Sequence, residues 1–319
     1  MHSITLVPGD SAANITAVRR ILEASCTELS FDVQDWTDGE PPEALLTSAK
    51  KNKTVLLGHK KSAADDKPAP IVQLRRALGV FANLRPIKGI AGIKARFPNA
   101  NVLVVRETTE DVYAQLEHES LKGVFESLKV TTKAGCERIA HHAFQTARRL
   151  GRKRVTIVHK ANIMKMSDGL FLRTALAIAE EYPDILCDEC IVDALCMKLV
   201  RNPADFDVLL CGNLFGDIVS DLCAGLVGGA VNSPSLNEGP EGLRIYTSGH
   251  GEPAGDSCCP TSLAFSAVLM LRDLGETEAA NKLMTGLTTA LSSDSSPKLL
   301  GGTANASTFA DAVIRSIEG

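Results

Sequence analysis

Residues 155–172 read VTIVHKANIMKMSDGLFL. The opening is short, apolar and β-branched, so a strand is expected over Arg154–Val158. From Gly169 the spacing turns helical, and a helix is expected over Gly169–Tyr182. The same alternation recurs outward in both directions. Strands are expected at Ile4–Val7, Thr54–Leu57, Asn101–Val105 and Phe206–Cys211. Helices are expected over Ile15–Glu28, Cys136–Leu150, Asp193–Val200 and Thr261–Leu274. Such alternation predicts a layered α/β fold. Lys60–Pro70 is polar, charged and proline-bearing, and reads as a loop. There is no internal repeat and no low-complexity tract.

Composition bounds the function. In 319 residues, Lys+Arg 34 against Asp+Glu 38 leaves a net charge of −4. Without a basic excess, a nucleic-acid or anionic-membrane surface is a poor expectation. No run of about 18 apolar residues is present, so no bilayer span is expected. The beginning, MHSITLVPGD, shows no basic start and no apolar h-region, which argues against a secretory signal. Nine cysteines in a chain this long read as reduced thiols in a cytoplasmic setting. Cys187 and Cys190 have C-x-x-C spacing, but no second pair follows them, and Cys258 and Cys259 are adjacent. All nine are read as structural. Neither Gly-x-Gly-x-x-Gly after the first strand nor a Walker A motif occurs.

Three stretches carry chemistry. In Asn213–Asp221, NLFGDIVSD, Asp217 and Asp221 are four apart and share one helix face. Such like charges repel unless a cation sits between them; a solvated acidic face is the plainer alternative, although the apolar flanks Leu214, Ile218, Val219 and Leu222 limit solvation. Oxygen ligands point to Mg²⁺ or Mn²⁺ rather than zinc. Lys160 lies just past a strand, at the carboxyl edge where open α/β sheets place ligands; an ordinary surface lysine is the plainer alternative. In Val105–Tyr113, VRETTEDVY, Arg106 and Tyr113 follow another strand. Together with Arg75 and Arg85 they suit a polyanionic small substrate, because guanidinium forks match carboxylates.

These stretches resemble the isocitrate and isopropylmalate dehydrogenases, the metal-dependent β-decarboxylating family. Val155–Leu172 and Asn213–Gly229, NLFGDIVSDLCAGLVGG, look like family consensus, and Val105–Glu119, VRETTEDVYAQLEHE, is similar to the NAD-type isocitrate branch. The likeness is close over about Phe81–Gly229 and looser outside it. It implies the family's two-lobed α/β/α fold, not a Rossmann fold. Residues 1–82 with 230–319 would form the larger, cofactor-side lobe, and 83–229 the smaller lobe with the metal site and dimer interface. It implies substrate binding by Arg75, Arg85, Arg106 and Asn162. Tyr113, Lys160 and Asp193 would be catalytic, and Asp193, Asp217 and Asp221 would hold Mg²⁺ or Mn²⁺. The family takes Lys160 and Asp193 from the neighbouring subunit, so the resemblance implies a dimer, a homodimer in the first instance.

The departures from the family pattern cluster. Ala69 and Ile71 stand where isocitrate-specific members carry a serine and an asparagine. Losing such hydrogen-bond partners costs roughly 10²–10⁵ in rate ratio. His59, Lys60, Lys61 and Ser62 are candidates for a replacement anion grip. The first turn, Gly9-Asp10-Ser11-Ala12-Ala13-Asn14, departs from the family's glycine-rich form; Thr247 replaces a glutamate and Leu299 an aspartate. The segment from His250 and Gly251 to Pro260 is short. It offers Glu252 and Asp256 but no Lys or Arg, which favours NAD over NADP. The expected activity is NAD-linked oxidative decarboxylation of a malate-type 2-hydroxy acid, isocitrate or an analogue such as a phosphonate. The alternative is a regulatory or catalytically silent subunit.

Overall fold

Ile4, Leu6 and Val7 have almost no exposed surface, as expected of a strand covered on both faces. They belong to β1 (His2–Val7), followed by α1 (Ala12–Ser25), β2 (Leu29–Val33), α2 (Glu43–Asn52), β3 (Thr54–Leu57) and α3 (Pro70–Leu78). The computed structural model describes residues 1–37, 39–61, 68–229, 231, 233–249 and 259–319. Within them the chain divides into two units: Met1–Val80, Gly89–Pro98 and Val227–Gly319 form unit 1, and Phe81–Lys88 and Asn99–Leu226 form unit 2. The excursion Gly89–Pro98, grouped by sequence with the smaller lobe, belongs to unit 1.

Unit 1 closes with β11 (Pro234–Glu238), β12 (Arg244–Ser248), α8 (Thr261–Asp273), α9 (Thr277–Leu291) and α10 (Ala306–Glu318). Its strands run in the order β2-β1-β3-β12-β11. All its pairings are parallel except β11 against β12. One core cluster joins Val7, Leu45, Val55, Leu57, Leu74 and Ile245, with Ile71 packed at its margin.

Unit 2 contains β4 (Ala82–Lys88), β5 (Asn101–Glu107), a hairpin of β6 (Glu117–Leu121) and β7 (Val124–Ser127), α4 (Lys133–Arg149), β8 (Arg154–His159), α5 (Ser167–Ala179), β9 (Leu186–Ile191), α6 (Val192–Arg201), β10 (Val208–Cys211) and α7 (Asn213–Leu226). Its main sheet runs β4-β5-β10-β8-β9. β5, β10, β8 and β9 are parallel, with Val105 beside Leu210 and Val158 beside Cys211. The carboxyl ends of β5, β10 and β8 therefore share one edge. That edge receives the Arg106–Tyr113 segment, the start of α7 and Lys160.

Each strand and helix expected from sequence is present; β3 keeps its expected bounds and the others shift at one or both ends. α1 starts three residues before Ile15 and stops at Ser25, because Cys26 turns extended and leads into β2. β2, β4, the β6–β7 hairpin, β9, β11, β12, α2, α3, α9 and α10 went unanticipated. The fully exposed hairpin has no apolar alternation to betray it. All eight described cysteines are free thiols. Burial raises most of them, Cys136 to about 12 and Cys187 to about 11. Cys187 and Cys190 sit three apart on β9, so their side chains leave opposite faces of the strand.

Candidate active site

The site of unit 2 is built where β4 and β5 meet α7. Arg106, on β5, is buried; its Nε and Nη2 donate to Asn213 Oδ1 at 2.9 and 2.7 Å. Asn213 is the first residue of α7, and its own Nδ2 donates to the carbonyl of Glu110 at 3.1 Å. The helix start thus orients the guanidinium. Nη1 of Arg106 is left to donate to Asp217 Oδ1 one turn further on. Gly216 makes the close approach possible, since a Cβ there would lie 2.6 Å from Arg106 Cγ.

Tyr113 completes the arrangement. Its hydroxyl donates to Asp217 Oδ2 at 2.5 Å, and its ring lies 5.0 Å from the Arg106 guanidinium carbon, within cation–π range. Burial, and then the bond to Asp217, push its phenol above the usual tyrosine value, partly opposed by the Arg106 charge. Arg85, on β4, donates from Nε to Asn83 at 3.1 Å and from Nη1 to Asp221 at 3.4 Å. Burial, followed by the neighbouring Arg106 charge, pulls its pKa down. Both carboxylates stay open to solvent: Asp217 is 36% exposed and Asp221 60%.

The Lys160 turn forms a second group on the same sheet edge. The backbone N–H of Lys160 donates to Asp168 at 2.7 Å, and that of Ala161 to Nδ1 of buried His159 at 3.0 Å. Nζ donates to Asp193 Oδ1 at 2.7 Å. That hydrogen bond holds the exposed Asp193 carboxyl below the usual range. Asn162 is exposed beside it.

Five expected site residues, Arg85, Arg106, Tyr113, Asp217 and Asp221, thus come together, and Lys160 and Asp193 pair separately. Among the described residues, no group of three His, Cys, Asp or Glu able to hold a metal is formed within one chain. The aspartate trio is therefore not assembled by a single copy. The pair Asp217 and Asp221 still fits a hard divalent cation in part, as two oxygen donors on one helix face.

Unit 1 holds Arg75, buried on α3, with Nε donating to Asn237 Oδ1 at 2.8 Å. Lys60, read as part of an anion grip, is already engaged. Its side chain is 6% exposed, pairs with Asp10 at 3.2 Å, donates to the Thr37 carbonyl at 3.0 Å and lies 5.7 Å from the Trp36 ring centroid. The Lys61 N–H also bonds Asp10, at 2.7 Å. Gly9 lets this turn pack tightly, since a Cβ there would lie 2.3 Å from the His59 carbonyl oxygen. Ser62, His250, Gly251, Glu252 and Asp256 lie outside the described residues. Sequence reasoning missed the supporting polar residues Asn83, Asn237 and Lys129, and gave Asp111 and Asp168 no role within the motifs that contain them. Asn213 was in view, but only as the start of a motif.

The chain as a whole has close counterparts among known proteins. The sequence matches the isocitrate/isopropylmalate dehydrogenase family profile over residues 12–313. The chain belongs to that family. By family it is a decarboxylating dehydrogenase. It is 40% identical over 334 aligned positions to the alpha chain of the mitochondrial NAD isocitrate dehydrogenase of Sus scrofa, covering 100% of this chain and 91% of that one. It is 38% identical over 328 positions to a regulatory chain of the mitochondrial NAD isocitrate dehydrogenase of Dictyostelium discoideum, with 99% and 92% covered. The isocitrate dehydrogenase of Methylococcus capsulatus superposes with a TM-score of 0.93 at 34% identity, and each chain is covered in full. The dehydrogenase fold expected from sequence is thus shown.

Proposed function

We propose that this dehydrogenase oxidatively decarboxylates isocitrate, or a 2-hydroxy acid with the same malate core, with NAD as hydride acceptor. One observation carries the reading: Tyr113 and Arg106 converge on Asp217, while Arg85 meets Asp221 one turn along the same helix. When bound, a divalent cation on Asp217 and Asp221 would polarise the substrate carbonyl, and NAD would accept the hydride. Arg85 and Arg106 bind and orient substrate carboxylates, their guanidinium forks already braced by Asn83 and Asn213. Loss of CO₂ from the 2-oxo acid leaves an enolate. Tyr113 then delivers its proton to the enolate carbon, for which a phenol held neutral at physiological pH is suited. Lys160 takes up the hydroxyl proton in the oxidation step.

Lys160 and Asp193 would reach this site from a second copy. The incomplete aspartate group in one chain supports that assignment. So do exposed apolar side chains of unit 2, Ile218 on α7, Met197 on α6 and Phe125 on the hairpin. Mixing Lys160→Ala with Asp217→Asn should then restore turnover that neither variant has alone; no restoration would place both residues in one chain's site.

The decisive experiment is a turnover panel of isocitrate, isopropylmalate and a phosphonate analogue, with Mg²⁺ or Mn²⁺ and with NAD or NADP. Isocitrate with NAD should be fastest. Preference for NADP would overturn the cofactor assignment, since no cationic residue between His250 and Pro260 is there to meet a 2′-phosphate. The similarity to a regulatory chain favours a second reading, in which the protein binds isocitrate without turnover. Calorimetric binding of isocitrate with no product formed would select it.

A further inference from the structure

Asp111 holds a backbone conformation that residues with a side chain avoid. Its φ of 72° and ψ of −156° fall in a region occupied essentially by glycine. The residue is buried, and its carboxylate is fully engaged. Oδ1 accepts from the Val112 N–H at 2.8 Å. Oδ2 accepts from the Leu214 N–H at 3.1 Å and faces Lys129 Nζ at 2.9 Å. Leu214 is the second residue of α7, so this carboxylate meets the positive end of the helix that carries Asp217 and Asp221.

Lys129 extends the connection. Its ammonium lies 3.4 Å from Asp168 Oδ1 and 5.3 Å from the Phe215 ring centroid. The other oxygen of Asp168 accepts from the Lys160 N–H. A continuous polar strap therefore runs from the Tyr113 turn to α7 and on to the Lys160 turn, across the carboxyl end of β10. A cavity of about 20 Å³ lies along it, bordered by Asp111, Lys129, Asp168 and Cys136, with room for one water. Strained backbone of this kind persists only where the surroundings over-determine it. A glycine would satisfy the turn but could make none of the carboxylate contacts.

We propose that Asp111 is a positioning residue: its carboxylate fixes the Tyr113 turn against α7 and, through Lys129 and Asp168, holds that turn in register with the Lys160 turn. The catalytic consequence rests on the dehydrogenase reading above; the structural one does not. Asp111→Gly removes the strap while relieving the backbone, so loss of folding is not expected. In that variant kcat should fall by about tenfold to a hundredfold, the range for slight misplacement of reacting groups. KM for isocitrate should change little. Amide hydrogen exchange at Leu214 and Lys160 should quicken together. Lys129→Met should quicken exchange at both amides as well, and Lys129→Arg should restore both exchange and kcat in part.

If Asp111→Gly instead melts higher, with wild-type kcat and unchanged exchange, Asp111 is only a tolerated strain and the proposal is overturned. If the wild-type chain turns over nothing in the panel, the dehydrogenase reading fails by itself. Exchange then decides the strap: faster exchange at both amides upholds it, and no change at either one overturns it.

Discussion

On the α7 face of unit 2, Arg85 and Arg106 are buried but meet carboxylates that remain open to solvent. In the turn after β3 of unit 1, the Lys60 side chain is buried and meets Asp10, the Thr37 carbonyl and the Trp36 ring. The first arrangement is exchangeable. In the proposed function, a divalent cation would take Asp217 and Asp221 and free the guanidinium groups, still braced by Asn83 and Asn213, for a substrate's carboxylates. The second is closed. Burial pushes the Asp10 carboxyl up, but the Lys61 N–H and the Lys60 ammonium outweigh it and hold the group ionised. A cation so engaged is a poor grip for an incoming anion. The two clusters thus differ in kind: one leaves its carboxylates facing solvent, and the other spends its cation on structure.

The largest expected effect breaks the exchangeable side. Asp217→Asn removes a ligand charge and weakens the acceptor of both Arg106 and Tyr113. Turnover, as kcat/KM, should fall about a thousandfold, about 4 kcal/mol of transition-state stabilisation. The melting temperature should hardly move, since the side chain sits at the solvent edge of α7. Metal-dependent kinetics with a thermal melt check both halves. Wild-type turnover in this variant would remove the metal assignment and the contrast with it.

How much of this was legible in sequence follows the same division. Asp217 and Asp221 stood out as an i,i+4 carboxylate pair and Arg106 and Tyr113 as a strand-end pair, but the roles given to them rested mainly on the family resemblance. The alternation of strand and helix was readable because β5, β8 and β10 are apolar and β-branched. The supports were not. Asn83, Asn213, Lys129 and Asp168 act across long stretches of chain, and nothing in local periodicity links Lys129 to Asp111. The strain at Asp111 is invisible without φ and ψ. Lys60 read as a free cation for a related reason: its partners Asp10, Thr37 and Trp36 are distant in sequence.

A smaller effect sharpens the unit 1 side. Ala69 occupies the N-cap of α3 with no side-chain hydrogen bond to the helix, and Ile71 packs at the edge of the core cluster. Ala69→Ser should stabilise α3 by about 1 kcal/mol through capping alone. If a hydroxyl there also meets the γ-carboxylate of isocitrate, kcat/KM should rise about tenfold. Adding Ile71→Asn should cost about 1–2 kcal/mol of buried apolar surface, lowering the melting temperature whatever it does for substrate. A capped helix with unchanged kinetics would show that the contact is supplied elsewhere.

The smallest effect tests the bond between Tyr113 and Asp217 without substrate. Burial, then that hydrogen bond, raise the Tyr113 pKa above its ordinary value near 10. The folded state therefore favours the neutral phenol. Its contribution to stability is complete below pH about 10 and is lost as pH rises through the folded-state value. Tyr246 in unit 1 shifts in the same direction, mainly by burial, and donates to Asp273 at 2.7 Å. The chain should therefore lose stability in alkali at both residues. In Tyr113→Phe the decline above pH 10 should become shallower but not vanish, because Tyr246 remains and is the more deeply buried. Below pH 9 the two melting curves should run parallel. Thermal melts in half-unit steps from pH 8 to 11 make the comparison, and an unchanged alkaline slope in Tyr113→Phe would mean that the phenol does not donate to Asp217.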